Sequence, residues 1–520
     1  MTAERVPSSG PCRRQSGKAA RHRSAVCSVS DTFTPDRLAQ ALDDARLITV
    51  DSRGHDVALI DVTHDSRQAG PGVLFAARPG AHADGHDFAP AAVAAGSPAL
   101  LVQRELPDLD VTQIVVESVA QTLGYAADLI HGQPTHDITV LGVTGTNGKT
   151  TTAYLLDAIL RAAGHTTGLI GTVETRIADR AVPGVRTTPE ASDLHRLFAR
   201  MRAEKVTAAA IEVSSHGLVL GRLNGVRFAA ALFTNLTQDH LDFHRDMEEY
   251  YQAKASLFTG AFTPVGVVTI DDEFGARLAK TAPTEVWTVS RHHQADVWAS
   301  GVAGDAAGSS FTAHVGGAAV DVRINLPGDY NVTNALGALA TAHASGVDLQ
   351  VAARGLASLP GVPGRMERVD VGQPFAVMVD YAHTPDSVAG VLRAARQVTD
   401  RRLIVVLGCG GDRDRAKRPA MARAAHDAAD VAVFTNDNPR GEDPEVILDD
   451  MVRGLTDPAA AIVVPDRRQA IHQAIAMAQP GDVVVLAGKG HEPYQELPSG
   501  RIDFDDRAVA REALRQWVRA

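Results

Sequence analysis

The chain has 520 residues, 45% apolar and 22% charged, with a net charge of −11. At roughly 150 residues per domain this length implies about three domains, and the acidic balance argues against a generic nucleic-acid binder, which would carry a broad basic surface. Three cysteines, Cys12, Cys27 and Cys409, form no metal-ligand pair and no complete set of bridges, and no apolar run nears the length of a bilayer span, so the expectation is a cytoplasmic protein.

Residues 1–30 are polar, basic and rich in Ser, Arg and Gly, without the apolar centre of a secretory signal. They are expected to be a disordered extension without chemistry. Residues 31–134 alternate short apolar segments (57–60, 73–76, 99–102 and 114–116) with turns, and helices are predicted near 35–45, 87–95 and 118–130. This predicts a small α/β domain. A second domain, 135–360, opens on the apolar strand 138–143, passes through a glycine-bearing loop and enters an amphipathic helix over 154–160 that stops near Gly164. Further strands are predicted at 208–213, 228–233 and 265–270, with a helix from about Asn331 to before Gly346. The third domain, 361–520, alternates strands at 375–380, 403–407, 431–435, 462–464 and 483–487 with helical stretches. That alternation predicts a parallel sheet with crossover helices, whose ligands bind at the carboxyl ends of the strands.

The strongest local signal is Gly142-Val-Thr-Gly145-Thr146-Asn147-Gly148-Lys149-Thr150-Thr151, set between a strand and a helix. Small residues let backbone amides turn toward phosphate oxygens, and the helix start adds partial positive charge. Lys149 would reach the terminal phosphates and the Thr150 hydroxyl a Mg²⁺ shell. The spacing departs from the strict form, because Val143 stands where the first glycine belongs. Glu212, and the segment Asp239-His240-Leu-Asp242, each follow a predicted strand and are candidates to converge on the phosphates.

With those motifs come Glu212-Val-Ser-Ser-His216, Asn331-Val-Thr-Asn334, Gly364-Arg-Met-Glu367, Asp380-Tyr-Ala-His-Thr-Pro-Asp386 and Asp437-Asn438-Pro439-Arg440, all in order. The chain resembles the Mur ligase family over about residues 60–510, and within it the branch that adds meso-diaminopimelate. The resemblance implies a UDP-binding α/β domain, a central P-loop ATPase-type domain and a C-terminal Rossmann-like domain. It implies ATP-dependent ligation of meso-diaminopimelate to the D-glutamate γ-carboxylate of UDP-N-acetylmuramoyl-L-Ala-D-Glu through an acyl phosphate, by a monomer.

The implied roles are specific. Lys149, Glu212, His240 and Lys254 are the catalytic set. Gly145, Thr146, Asn147, Gly148, Thr150, Thr151, Asn331, Asn334, Arg365 and Asp380 would hold ATP. Thr150, Glu212, His240 and a CO₂-derived carbamate on Lys254 would hold Mg²⁺. Ser66, Thr187, Thr188, Ser214, Arg222 and carbamylated Lys254 would contact the UDP-muramoyl dipeptide. Arg186 and Leu220 depart there from some members, which have asparagine and glutamine. Ala81-His82-Ala83-Asp84-Gly85 is a looser match to a uracil loop. Arg413, Asp437, Asn438, Pro439, Arg440, Gly488 and Glu492 would hold diaminopimelate. A guanidinium at Arg440 offers a bidentate fork to the carboxylate that distinguishes diaminopimelate from lysine. Rival readings are a lysine-adding ligase, disfavoured by Arg440, a folylpolyglutamate synthase, and a non-catalytic muropeptide or nucleotide sensor, disfavoured by the complete catalytic set.

Overall fold

A computed structural model of the chain describes residues 33–42, 46–48, 57–80, 83–292, 294–305 and 307–519. The predicted extension at 1–30 lies outside the described residues, as do Ala81 and His82 of the proposed uracil loop.

Three sheets organise the rest. The first has five strands in the order Arg46–Ile48, Thr112–Val115, Ala99–Val102, Val73–Ala76 and Asp61–Thr63, parallel except at Arg46–Ile48. The strands at 73 and 99 are apolar on nearly every residue because helices and loops cover both faces. The apolar segment 57–60 lies just before the strand Asp61–Thr63. Only Leu59 bridges Phe33, and Ile60 is exposed; the strand begins one residue later, where Val62 rather than Ile60 enters the core.

The central sheet has eleven strands. Its middle is parallel, in the order Glu285–Ser290, Val265–Thr269, Ala230–Phe233, Thr139–Thr144, Ala208–Glu212 and Thr167–Ile170. Helices Lys149–Ala162, Asp329–Ala344 and Leu349–Ser358 pack on one face, burying Leu155, Ile159, Leu336, Leu339 and Leu356. Antiparallel ribbons extend both margins: Glu174–Ile177 with Arg180–Pro183 on one side, and Val297–Asp305, Gly308–Val315 and Ala318–Ile324 on the other. Neither ribbon is among the predicted strands.

The third sheet is parallel in the order Ala376–Asp380, Val483–Ala487, Leu403–Cys409, Val431–Asn436 and Ile462–Val463, with Glu367–Arg368 antiparallel at its edge. Apolar side chains line both of its faces. Helix Pro385–Gln397 starts where Thr384 and Ser387 close a reciprocal capping box with Pro385 at the first turn, an arrangement worth about 1 kcal/mol. Strand order reverses around Val483–Ala487 and Leu403–Cys409, so the loops after these strands open into one crevice.

Candidate active site

Strands Ala230–Phe233, Thr139–Thr144 and Ala208–Glu212 are neighbours, and their carboxyl ends carry the central site. The loop after Thr144 turns through Gly145 and Gly148, both in the left-handed region. A side chain at Gly145 would strike Thr234 Oγ1, and one at Gly148 would strike Asn334 Oδ1, so glycine is required twice. Helix Lys149–Ala162 then begins with no side-chain cap, which leaves its first amides directed at the crevice. Thr146 Oγ1 donates to Thr237 O at 3.1 Å and Asn147 N to Asn235 Oδ1 at 2.9 Å, which pins the loop to the next strand. Thr151 lies buried in the first helical turn.

Thr150 Oγ1 donates to Glu212 Oε2 at 3.0 Å. Glu212 is buried and also accepts from the amide of Thr172 at 2.8 Å and from its hydroxyl at 3.0 Å. Lys149 Nζ donates to the carbonyls of Gly145 and Thr146 at 2.9 and 2.8 Å. Lys254, in the last turn of helix Met247–Ala255, is 1% exposed, and its Nζ donates to the same Gly145 carbonyl at 2.8 Å. Burial, reinforced by the charge of Lys149, holds the Lys254 amine well below the usual lysine range. Burial lowers Lys149 as well, against the opposing fields of Glu212 and Asp239.

His240 sits in the left-handed region with its Nε2 3.5 Å from Asp239 Oδ2, and desolvation outweighs the Asp239 charge and holds the imidazole below its usual range. His216 packs edge-on against it at 4.9 Å between ring centroids. Among the described residues no three His, Cys, Asp or Glu side chains are grouped as a metal cage.

Residues around the third sheet reach this site through several contacts. Arg365 Nη2 donates to Thr150 Oγ1 at 3.0 Å, Asn147 Nδ2 donates to Asp386 Oδ2 at 3.1 Å, and Lys417 Nζ lies 3.5 Å from Asp239 Oδ1. Asp380 has a different position from Arg365. Its two oxygens accept from the amides of Met366 and Ala382 at 2.7 and 2.8 Å, so it anchors the turn that presents Arg365. Burial raises its carboxyl. Asn331 Nδ2 donates to Pro327 O at 2.8 Å and Asn334 Nδ2 to Asn331 Oδ1 at 3.2 Å, at the start of helix Asp329–Ala344 beside Gly148.

Thr188 Oγ1 donates to Glu212 O at 2.8 Å and accepts from Ser214 N at 3.0 Å. Thr187 Oγ1 lies 2.9 Å from Thr172 Oγ1. Arg222 Nη1 donates to Thr188 O at 3.1 Å, and Arg222 Nη2 pairs with Glu190 at 2.7 Å. Glu190 also meets Arg78 at 2.8 Å and Arg186 at 3.7 Å. These four residues form a cluster with two excess positive charges between the first and central sheets, of which Arg78 and Glu190 had no motif to mark them. Ser66 stands apart from the cluster, in a short helical turn capped by Asp65, which is ion-paired to Arg67 at 2.7 Å.

The second focus lies at the carboxyl ends of the third sheet. Gly488 follows Val483–Ala487 and lies so near Asp437 that a side chain there would strike the Asp437 carboxylate. Asn438 Nδ2 donates to Glu492 Oε2 at 2.8 Å. Lys489, fully buried, donates to Asn438 Oδ1 and Glu492 Oε2, both at 3.0 Å, and lies 3.8 Å from Asp437. Sequence reasoning missed Lys489, although it sits inside the quoted segment between Gly488 and Glu492. Burial and Asp437 raise the Glu492 carboxyl, and Lys489 opposes them. Arg440 pairs with Glu496 at 3.0 Å rather than with its sequence neighbours, because Arg418 and Arg415 occupy Glu442. Pro439 closes the turn whose carbonyl accepts from Glu442 N at 3.0 Å. Arg413 is exposed and donates to Asp412 O at 2.9 Å; a methyl placed on Gly410 would touch both Arg413 and Arg440.

Comparison with known proteins follows this division. The Mur ligase family, catalytic domain, matches residues 61–130, the Mur ligase middle domain 143–342, and the Mur ligase, glutamate ligase domain 364–490. A UDP-N-acetylmuramoyl-L-alanyl-D-glutamate–2,6-diaminopimelate ligase of Solibacter usitatus is 48% identical over 89% of this chain and 95% of its own length. The protein of the same name from Streptomyces avermitilis is 47% identical over 89% and 93%. A solved structure of a UDP-N-acetylmuramoyl-L-alanyl-D-glutamate–2,6-diaminopimelate ligase superimposes with a TM-score of 0.67 at 33% identity, covering 94% of this chain and all of that one. With relatives this similar along nearly their full length, and with three family domains matched in order, the chain belongs to the Mur ligase family.

Proposed function

We propose that the chain joins meso-diaminopimelate to the D-glutamate γ-carboxylate of UDP-N-acetylmuramoyl-L-Ala-D-Glu at the expense of ATP, in cytoplasmic synthesis of a peptidoglycan precursor, as a monomer. The observation that carries this reading is the contact between Arg365 and Thr150, which brings the amino-acid crevice of the third sheet to the phosphate loop of the central one. The relatives' names supply the substrates.

A carboxylate is a poor electrophile until one oxygen becomes a leaving group. The γ-carboxylate therefore attacks the γ-phosphate of ATP, ADP leaves, and the amine displaces phosphate from the acyl phosphate to give the amide. The loop amides and Lys149 hold the phosphates in line. Arg365 adds positive charge beside Thr150. Thr188, Ser214 and Arg222 hold the peptide end of the nucleotide substrate, with Thr187 beside them and Ser66 toward the uridine. Asn331 and Asn334 flank the adenine. On the amino-acid side, Arg440 and Arg413 receive the distal carboxylate and Glu492 the ammonium, while Asp437, Asn438, Pro439 and Gly488 shape the wall.

Thr150 Oγ1 and Glu212 Oε2 are hard oxygen donors 3.0 Å apart, so these residues fit Mg²⁺, which would draw its remaining ligands from phosphate, water and His240. Held there, Mg²⁺ would supply positive charge that screens the two anionic substrates from each other. Lys254 fits carbamylation, since a buried amine held below its usual range is nucleophilic enough to add CO₂ with loss of a proton. The test is phosphate release. It is expected only with UDP-dipeptide and meso-diaminopimelate together, and release that is indifferent to the dipeptide, or faster with lysine, rejects the reading.

A further inference from the structure

The two-stranded ribbon Tyr494–Leu497 and Gly500–Asp503 belongs to none of the three large sheets. It is nonetheless fastened along the whole Asp437–Arg440 loop. Gln495 Nε2 donates to Asp437 O at 2.6 Å, Glu496 N to Asn438 Oδ1 at 3.0 Å and Arg440 N to Glu496 O at 2.9 Å. The last contact is between side chains: Arg440 Nε donates to Glu496 Oε2 at 3.0 Å. Arg440 Nη1 donates to Gly411 O at 2.8 Å. The guanidinium is thus gripped at two of its three nitrogens, and among the described residues Nη2 has no protein partner. Arg440 also holds a left-handed backbone, φ 54°, which a non-glycine residue adopts only when its surroundings impose it.

We infer that Glu496 is a positioning residue for amino-acid selection: it fixes the plane of the Arg440 guanidinium so that the Nη edge faces the crevice, where it would receive the distal carboxylate. This rests on the proposed substrate and deepens it. A free arginine side chain carries rotamer entropy, which a pre-aimed fork does not lose again on binding. The charge of Glu496 also balances Arg440 while the crevice is empty. An incoming amino acid without a distal carboxylate then gains nothing from the guanidinium, and a dicarboxylate meets a fork already set at the right angle.

The experiment is steady-state kinetics on the full chain. Glu496→Ala is expected to raise KM for meso-diaminopimelate about tenfold while kcat stays within about twofold, the scale of coupling between groups in contact. KM for ATP and for UDP-dipeptide should not move. Glu496→Gln, whose amide oxygen still accepts from Nε, should stay within about threefold of the parent enzyme. The double variant Arg440→Ala/Glu496→Ala should be no weaker than Arg440→Ala alone, because a residue that only aims Arg440 has nothing left to aim. If Glu496→Ala fails to fold, Glu496→Asp, which withdraws the carboxylate by one methylene, gives the same readout. An unchanged KM, losses that multiply in the double variant, or a joint fall of kcat and ATP affinity overturns the inference and makes the ribbon a structural prop. A parent enzyme that rejects meso-diaminopimelate overturns the substrate reading instead.

Discussion

The phosphate loop and the amino-acid crevice handle buried charge in opposite ways. At the loop, Lys149 and Lys254 rest on backbone carbonyls, and among the described residues no carboxylate is hydrogen-bonded to either of them. At the crevice the two less exposed cations already have acids: Lys489 has Glu492 and Asp437, and Arg440 has Glu496, while Arg413 lies exposed on the carbonyl of Asp412. A buried amine without an anion is unstable as an ammonium, so the loop favours whatever supplies negative charge, whether phosphate or a carbamate. A neutralised crevice has little net field and discriminates by geometry. The first arrangement suits binding strength and chemistry, the second choice of substrate.

The contrast is breakable. Lys254→Ala should reduce turnover by roughly a hundredfold or more, the scale for losing a preorganised charged group at a phosphoryl-transfer site. Formate or acetate should restore part of it, seen as phosphate release in the presence of each anion. A variant at full turnover would mean that the buried amine is only structural. Next in size, Arg440→Ala should lower kcat/KM for meso-diaminopimelate at least tenfold, since removing one member of a largely desolvated charge pair costs about 2–5 kcal/mol. The KM values for ATP and dipeptide should barely change, and a parallel fall in ATP affinity would show that the two sites do not divide the work.

The loop's dislike of positive charge extends to its histidines. Burial holds His216 and His383 at about 4. In the unfolded chain an imidazole takes up its proton as pH falls through about 6.5. Between these values the unfolded state binds more protons, so stability falls as pH drops from 6.5 toward 4. Thermal melts across that range should show Tm decreasing steadily, and His383→Gln should flatten the slope. The smallest effect is expected at the seam between the sheets: Asp386→Ala removes one exposed contact to Asn147 and should change KM for ATP by about twofold, within the range for exposed polar pairs.

Much of this was legible before any coordinates. The glycine-bearing loop could be read because an apolar strand, two required glycines and an amphipathic helix are all local features. The parallel strands at 208, 403 and 483 announced themselves as unbroken apolar runs. Segment 57–60 is apolar yet lies just outside the pairing that starts at Asp61, so an apolar run alone does not mark where a strand begins. The ribbon Val297–Asp305 escaped because its exposed half carries glycine, alanine and a register shift between Ser300 and Ala303, which blur the period of two. In the site, motif matching named Arg440 but could not name Glu496, 56 residues away. Which acid meets which base across such a distance is decided by the folding of the ribbon, and one sequence carries no mark of it.

The eleven-stranded sheet also bears on how the protein behaves in a crowded solution. One margin is the strand Ala318–Ile324, whose outward positions include Asp321 and Arg323, with Asp321 accepting from Thr312 Oγ1 at 2.8 Å. The other is Arg180–Pro183, exposed throughout, with Arg180 paired to Glu204 and Pro183 lacking an N–H to offer. A second sheet approaching either margin would have to strip water from a charge or accept a missing donor. The broadest sheet of the molecule is therefore guarded against growth at both ends without being rolled into a barrel. Uncharged β-branched residues at Asp321 and Arg323 would turn that seven-residue strand into an adhesive edge.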